Sequence, residues 1–249
     1  MTARTTGALV VHPGAIGDVL LAIPALRALP RPITIAAQAH IGALVVALGV
    51  ADRAVAFESL GIETLFTAEP LDDAPLTRHA GGVDRVVCWF GARDPQFVAR
   101  LRALSAGVVV ASPAAPPRPV WTHLLESVGG IATTEPIAVA AELRERGREA
   151  LRARGWDGRS RLLVVHPGAG GLAKRWPTDR FVDVLRDVDA TVVVNDGPAD
   201  GDAVDALVAR AGRPMLRLTR PELPTLAGVL ALSVYLGNDS GVSQIGRAS

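Results

Sequence analysis

The chain has little of several residues and patterns that separate protein classes. It contains one cysteine in 249 residues, Cys88, so no intramolecular disulfide can form and the fold has to rest on its hydrophobic core. Cys88 lies in an apolar run and is predicted to be a small buried residue. The longest apolar stretch, around residues 41–51, is far shorter than the roughly 20 residues that span a bilayer. The N-terminus lacks a signal-peptide cleavage pattern, and we therefore expect a cytoplasmic protein.

Charge of one sign is also lacking. The chain carries 26 basic and 25 acidic residues, a net charge of +1, without runs of like charge, so nothing indicates binding of nucleic acid. No cluster of His, Cys and carboxylate residues has the spacing of metal ligands, and we expect no bound metal. Among the basic residues only Lys174 is a lysine, and the other 25 are arginines.

The most informative feature present is a segment that occurs twice. LVVHPGAIGD occupies residues 9–18, and LVVHPGAGG occupies residues 163–171. Each copy is a β-branched run typical of a buried parallel strand, followed by a glycine turn that lets backbone N–H groups approach a ligand. Two such units, about 150 residues apart, predict two α/β domains that face each other across a cleft lined by the carboxyl ends of strands.

Strand and helix signals alternate in both halves, which predicts parallel sheets. In the first half we expect strands at 8–12, 33–38, 85–90 and 108–111, one helix from about residue 18 to 29 and another that starts at the Asp94–Pro95 pair. The Arg-rich segment 141–161 is interpreted as a solvated helix that precedes the second copy. We place the N-terminal domain at 1–145, a linker at 146–157 and the C-terminal domain at 158–249.

The first glycine turn brings an acid to the start of a helix. Gly14 and Gly17 precede Asp18, at the mouth of a predicted strand. Asp18 either caps the helix or acts as a general base that takes the proton of a hydroxyl nucleophile, provided that burial tunes it to the working pH. The sequence alone leaves both roles open.

The second glycine turn precedes the only lysine. Gly168, Gly170 and Gly171 are followed by Lys174 and by a helix start at Pro177. Backbone N–H groups, a helix N-terminus and a lysine together suit a diphosphate, although neither a Walker A nor a GxGxxG pattern is present. A flexible surface turn with a solvated lysine is the alternative.

A third motif, GNDSG, follows the predicted strand 234–237. Asn238, Asp239 and Ser240 can hold sugar hydroxyls there, or they form an ordinary turn with an Asx cap. His12 and His166 end their strands, where we expect structural hydrogen bonds to the turns rather than catalysis.

Together and in this order, the three motifs resemble glycosyltransferase family 9, the ADP-heptose:lipopolysaccharide heptosyltransferases. The resemblance covers nearly the whole chain and depends on three segments: IGDVLLAIPALRAL at 16–29, HPGAGGLAKRWPTDRF at 166–181 and GNDSGVS at 237–243. It implies the GT-B fold, in which an N-terminal Rossmann-like domain binds the acceptor and a facing C-terminal one binds the nucleotide sugar. It also implies transfer of heptose from ADP-heptose with inversion, without metal or other cofactor, to lipopolysaccharide or another glycan.

The resemblance also implies roles for single residues. Asp18 is implied as the general base, on an acceptor-side loop with Gly14 and Gly17, and Lys174 is implied to hold the diphosphate as a second catalytic residue. The implied contacts to the nucleotide sugar are Gly168, Gly170, Gly171, Lys174, Asp239, Ser240 and Gly241. We expect a cytoplasmic enzyme with a glycan or lipid-linked acceptor, and peripheral contact with the inner membrane face.

The C-terminal end departs from the family pattern, which continues with His and then further strands and helices. This chain instead has Gln244 and ends with 245–249. Residues 244–249 can be encoded by codons that contain a common sequencing-adapter sequence. We therefore expect 245–249 to be an assembly artefact, the second domain to be incomplete and the strand 234–237 to lack a covering helix.

Two other functions stay open. One is a nucleotide-sugar-binding module without transfer activity, which a real truncation after GNDSG would favour. The other is a GT-B nucleotide-sugar epimerase, which is expected to lack an acceptor-facing base such as Asp18.

Overall fold

The computed structural model describes residues 7–68, 70–71, 74–131 and 136–248. Contacts between residues divide the chain into two compact units, 1–135 and 136–249. Residues 1–6, at the start of the predicted first domain, lie outside the described residues, as does residue 249 of the segment expected to be an artefact.

The first unit contains a five-stranded parallel sheet. Its strands are β1 (Ala8–Val11), β2 (Ile33–Ala37), β3 (Arg53–Ala56), β4 (Arg85–Cys88) and β5 (Val108–Val110). They lie in the order β3-β2-β1-β4-β5, with β1 in the centre between β2 and β4. All four residues of β1 are buried, as expected for a strand covered on both faces.

The described residues of this unit contain six helices, of which the first five lie between the strands and the sixth follows β5. They are α1 (Ile16–Leu21), α2 (Ile23–Arg27), α3 (Ala39–Ala47), α4 (Pro75–Gly81), α5 (Pro95–Leu104) and α6 (Val120–Ser127), with short 3-10 turns at Phe57–Ser59 and Ile62–Phe66. The single helix expected over 18–29 is divided in two, because Pro24 supplies no N–H and starts a new helix. The predicted start of α5 is confirmed, since Asp94 accepts a hydrogen bond of 2.9 Å from the Phe97 N–H.

Cys88 belongs to the core of the first unit, as predicted. Its side chain packs with Leu9, Val86 and Phe97, and its Sγ lies 3.4 Å from the Phe90 carbonyl. Burial raises the pKa of the Cys88 thiol to about 12. The thiol is therefore an inert packing group.

The second unit contains a four-stranded parallel sheet. Its strands are β6 (Leu162–His166), β7 (Thr191–Asp196), β8 (Leu216–Thr219) and β9 (Val234–Gly237). The order β8-β7-β6-β9 repeats the order β3-β2-β1-β4 of the first unit. The two copies of the LVVHPG segment thus occupy the same central place in their sheets, and the predicted α/β class with two parallel sheets is confirmed.

Five helices belong to the second unit. They are α7 (Ala141–Arg152), α8 (Thr178–Leu185), α9 (Gly201–Arg210), α10 (Leu223–Leu230) and α11 (Gly241–Ala248), with a 3-10 turn at Leu172–Lys174. The expectation that no helix follows β9 is wrong, because α11 contacts both β9 and α10. Ile245 of α11 is fully buried, so this helix has an apolar side that the sequence interpretation did not consider.

The predicted linker, 146–157, contains instead the second half of α7. This helix packs closely on α10, because Gly147 and Gly228 lie at the crossing and a Cβ on either would overlap backbone atoms of the other helix. Leu143 and Leu151 are buried on the same side, so the helix is not solvated all round. The boundary between the units therefore lies at 135/136, before α7 rather than after it.

No helix in the described ranges is long and apolar enough to cross a membrane.

Candidate functional site

The carboxyl ends of β6 and β9 lie side by side in the second unit. His166, the last residue of β6, pairs with Gly237, the last residue of β9. The chain runs from β6 outward to β7 and β8 on one side and then crosses to β9 on the other side of β6. The strand order therefore reverses between β6 and β9. Open parallel sheets bind ligands at the carboxyl ends of the strands where such a reversal occurs. The glycine turn and the GNDSG motif, predicted separately from sequence, are therefore brought together here.

Lys174 and Asp239 meet at this edge. Lys174 Nζ lies 3.1 Å from Asp239 Oδ2, although 65 residues separate them in sequence. Both side chains are exposed, 60% and 70% respectively. An exposed ion pair contributes only about 0–1 kcal/mol to stability, so this pair leaves the ammonium group accessible to an anion from solution.

Asn238 is the buried centre of the site. Its Nδ2 donates to the Pro167 carbonyl at 2.8 Å and lies 3.4 Å from the Gly168 carbonyl, and its Oδ1 accepts from the Trp176 N–H at 2.9 Å. Its backbone carbonyl accepts from the Ser243 hydroxyl. Asn238 thus makes structural contacts to the glycine-turn segment, which differs from the sugar-hydroxyl role considered from sequence.

The glycines of the second turn have unequal surroundings. A Cβ on Gly168 would overlap the carboxylate of Asp200, whereas Cβ atoms on Gly170 and Gly171 would meet nothing within 4 Å. Gly168 is therefore required by packing. At Gly170 and Gly171 the space beside the backbone is open, which leaves room for the approach of a ligand.

His166 connects the turn to the β7–α9 loop. Its Nδ1 lies 3.1 Å from Asn195 Nδ2, and its Nε2 lies 3.8 Å from Asp200 Oδ2. Burial lowers the pKa of His166, and the nearby Asp200 carboxylate partly offsets this effect. Asn195, inside β7, and Asp200, after it, were not predicted as site residues, because the sequence does not show whether such a side chain faces a neighbouring turn or solvent.

Ser240 and Gly241 lie where α11 begins. The Ser240 hydroxyl is 3.5 Å from that of Ser243, which lies 3.3 Å from the Tyr235 hydroxyl. Burial raises the pKa of Tyr235. These hydroxyl groups support the GNDSG turn at the edge where Lys174 and Asp239 meet.

The first unit carries the other copy of the turn. The Gly14 N–H donates to His12 Nδ1 at 3.2 Å, which confirms the predicted bond between this histidine and its turn. His12 also contacts Trp89 edge-to-face at 5.6 Å between ring centroids. Burial lowers the pKa of His12, and the Asp18 carboxylate partly offsets the effect.

Asp18 lies in the first turn of α1, together with Gly17. The residue that caps the helix is Ala15, so the alternative that Asp18 is the cap is wrong; the helix begins two residues earlier than predicted. Asp18 is exposed, and no described residue donates a hydrogen bond to its carboxylate. The burial that we had set as a condition for base catalysis is therefore absent within this unit.

The predicted site residues fall into two groups. Gly14, Gly17 and Asp18 lie together in the first unit, and the other predicted residues lie together in the second. Among the described residues, no group of three or more His, Cys, Asp or Glu side chains is placed to hold a metal ion.

No protein-family model and no curated protein sequence matches the chain. Several solved structures do match the chain. The glycosyl transferase family 9 protein of Veillonella parvula matches with a TM-score of 0.73 at 18% identity, over 96% of this chain and 77% of that one. The ADP-heptose heptosyltransferase II of Escherichia coli matches with a TM-score of 0.69 at 18% identity, over 96% and 81%.

A third similar structure is E. coli heptosyltransferase WaaC with ADP-2-deoxy-2-fluoro heptose. It matches with a TM-score of 0.61 at 17% identity, over 97% of this chain and 85% of that one. At this level of identity the likeness establishes a shared fold. The chain therefore has the fold of these glycosyltransferases.

Proposed function

We propose that the chain is an inverting, metal-independent glycosyltransferase of family 9 that moves a sugar, heptose from ADP-heptose, to a lipopolysaccharide-type or other glycan acceptor. Support comes from the fold shared with heptosyltransferases and from the three motifs that resemble the family. We further propose a cytoplasmic location, with an acceptor presented at the inner membrane face.

One contact carries this proposal: the 3.1 Å approach of Lys174 Nζ to Asp239 Oδ2 beside the open glycines. It puts the only lysine of the chain at the edge of the second sheet where a parallel α/β fold binds ligands. An ammonium group and backbone N–H groups are what a diphosphate needs, and the open space beside Gly170 and Gly171 leaves room for one. The second unit is accordingly proposed as the donor-binding unit.

In the proposed reaction the acceptor hydroxyl oxygen forms a bond to the anomeric carbon while the bond from that carbon to the diphosphate oxygen breaks. The electron pair leaves with ADP, and Lys174 with the turn amides stabilises the negative charge that develops there. Asp18 takes the acceptor proton. The resemblance of its motif to the family supports this role, whereas the exposure of the carboxylate in the first unit does not supply the burial that we had set as a condition.

The test is a panel of nucleotide sugars. ADP-heptose, ADP-glucose, GDP-mannose and UDP-glucose are each incubated with the protein, with and without a heptose-free lipopolysaccharide core acceptor, and the products are identified by mass spectrometry. We expect acceptor-dependent release of ADP from ADP-heptose.

Other outcomes identify the alternatives. Binding of ADP sugars without transfer supports a binding module, and conversion of the donor sugar without acceptor supports an epimerase. Failure of every ADP compound to bind contradicts the proposal as a whole.

A further inference from the structure

We infer that Asn238 is a positioning residue of the donor site: it holds both ends of the segment 167–176 so that Lys174 and the open glycines keep a fixed geometry. This inference rests on the proposed function. It assigns Asn238 a role different from contact with a sugar.

The hydrogen bonds of Asn238 define two anchor points. One is the start of the segment, where Nδ2 donates to the Pro167 carbonyl at 2.8 Å, and the other is its end, where Oδ1 accepts from the Trp176 N–H at 2.9 Å. A side-chain amide offers one donor group and one acceptor, which is what a carbonyl and an N–H require. Asn238 is 7% exposed, so solvent does not compete for these bonds.

The residues between the anchors are the ones proposed to bind the diphosphate. They include Gly170, Gly171 and Lys174, and their own backbone bonds are local: Lys174 N–H to the Gly171 carbonyl and Arg175 N–H to the Leu172 carbonyl, both 3.0 Å. Such bonds shape a 3-10 turn but do not fix it to the sheet. The exposed Lys174–Asp239 ion pair is too weak to do so alone.

Asn238 is itself fixed by its neighbours in the chain. It directly follows β9, and its carbonyl accepts from the Ser243 hydroxyl in α11. The next residue, Asp239, is the partner of Lys174. The strand end therefore determines the position of the segment at three points, two through Asn238 and one through Asp239.

A control variant with a similar structural role exists in the same unit. Arg213 donates three hydrogen bonds, of 2.7, 2.9 and 2.8 Å, to the carbonyls of Leu185, Val188 and Ala190, close to the amino end of β7. Those contacts lie at the opposite end of the strands from the site. Arg213→Ala thus removes partly buried hydrogen bonds to carbonyls, none of which lies in the segment 167–176.

The experiment compares Asn238→Ala, the equally sized Asn238→Asp and Arg213→Ala with the parent protein. Hydrogen exchange at the Trp176 amide is measured first, without nucleotide, and ADP and AMP affinities are then measured by calorimetry. In Asn238→Ala we expect Trp176 exchange to be at least tenfold faster and the ratio of ADP to AMP affinity to fall about tenfold. In Asn238→Asp the carboxylate still accepts from the Trp176 N–H but cannot donate to the Pro167 carbonyl, so the affinity ratio should fall while Trp176 exchange stays closer to that of the parent. Arg213→Ala should leave both quantities as in the parent, whatever its melting temperature.

The outcomes separate the inference from the proposed function. If ADP binds and Lys174→Ala weakens it, but the Asn238 variants keep the parental ratio and the parental Trp176 exchange, the positioning role is overturned alone. If the parent does not bind ADP, the proposed function and the role of Asn238 in it are both overturned. Should Asn238→Ala fail to fold, Asn238→Ser decides by the same two measurements and Asn238→Asp by the affinity ratio.

Discussion

The two HPGA turns have the same sequence at the same place in two similar sheets, but they are held by different neighbours. In the first unit the Gly14 N–H donates to His12 Nδ1, the His12 ring contacts Trp89 after β4, and Gln38 after β2 donates to the Pro13 and Gly14 carbonyls, both at 3.4 Å. In the second unit the turn is held from a distance, by Asn238 after β9 and by Asp200 after β7.

The repeated motif is the same in both units. The residues that follow the neighbouring strands differ, and they determine which side chains surround each turn. Beside the first turn, the aromatic ring of Trp89 packs against His12, and the turn leads to Asp18. Polar residues beside the second turn leave Gly170 and Gly171 open and bring Asp239 to Lys174. The first turn thus presents an acid and the second a cation, which is the division of roles that the proposed transfer reaction needs.

The largest expected effect concerns the acid of the first turn. Asp18→Asn should lower the transfer rate by roughly 100-fold or more with donor affinity nearly unchanged, because general base catalysis contributes about 10²- to 10⁴-fold. Steady-state kinetics with ADP-heptose and calorimetry with ADP measure the two quantities. Asp94→Asn is the control, since Asn caps α5 about as well as Asp. An unchanged turnover in Asp18→Asn would remove the base from the mechanism.

The next effect concerns the cation of the second turn. Lys174→Ala should weaken ADP binding by about 1.5 to 3 kcal/mol, the increment of a charge-assisted hydrogen bond, without unfolding the protein. Arg210→Ala is the matched control: it removes a 2.7 Å pair with Asp179 in the same unit whose side chains are exposed 58% and 77%. Equal ADP affinity in Lys174→Ala and Arg210→Ala would contradict the diphosphate role.

A third comparison uses the equivalent glycines. Gly14→Ala puts a Cβ 2.7 Å from His12 Cε1, and Gly168→Ala makes one overlap Asp200, so each should destabilise its unit by about 1–3 kcal/mol in denaturant unfolding. Asp200→Ala should relieve part of the cost of Gly168→Ala and none of that of Gly14→Ala. If Asp200→Ala reduced the stability cost of both glycine variants, or of neither, the two turns would not be held by different neighbours.

The smallest effect concerns the two histidines. Burial lowers the pKa of both His12 and His166 from the ordinary value of 6.5, so the unfolded chain binds protons more readily than the folded one. The contribution of the two neutral histidines to the free energy of unfolding is therefore complete above pH 6.5. It decreases as the pH falls, by at most about 1.4 kcal/mol per pH unit for each histidine. His12→Asn and His166→Asn should each flatten the unfolding free energy between pH 6.5 and 5. A free energy of unfolding that increases in the parent protein as the pH is lowered from 6.5 to 5 would contradict this prediction.

Much of the fold was predictable from local signals. The β-branched runs predicted β1 and β6, the Asp94–Pro95 pair predicted the start of α5, and the repeat of LVVHPG predicted two sheets of parallel strands. The strand β3 was missed, because as an edge strand it has two exposed residues and no continuous apolar run. The helix α7 was divided between the predicted first domain and the predicted linker, since its Arg-rich surface gave no sign of the glycine crossing with α10.

The sequence by itself determined the secondary-structure elements and the reactive side chains beside them. Two strands end in glycine turns, with an acid after the first turn and the only lysine after the second. These are local properties, set by the conformations and periodicity that a short stretch of residues allows. The tertiary structure alone decided which groups meet. Parallel pairing of β6 with β9 brings Asn238 and Asp239 to a segment more than 60 residues away, where a buried amide is satisfied by the backbone and an exposed ion pair keeps the lysine accessible.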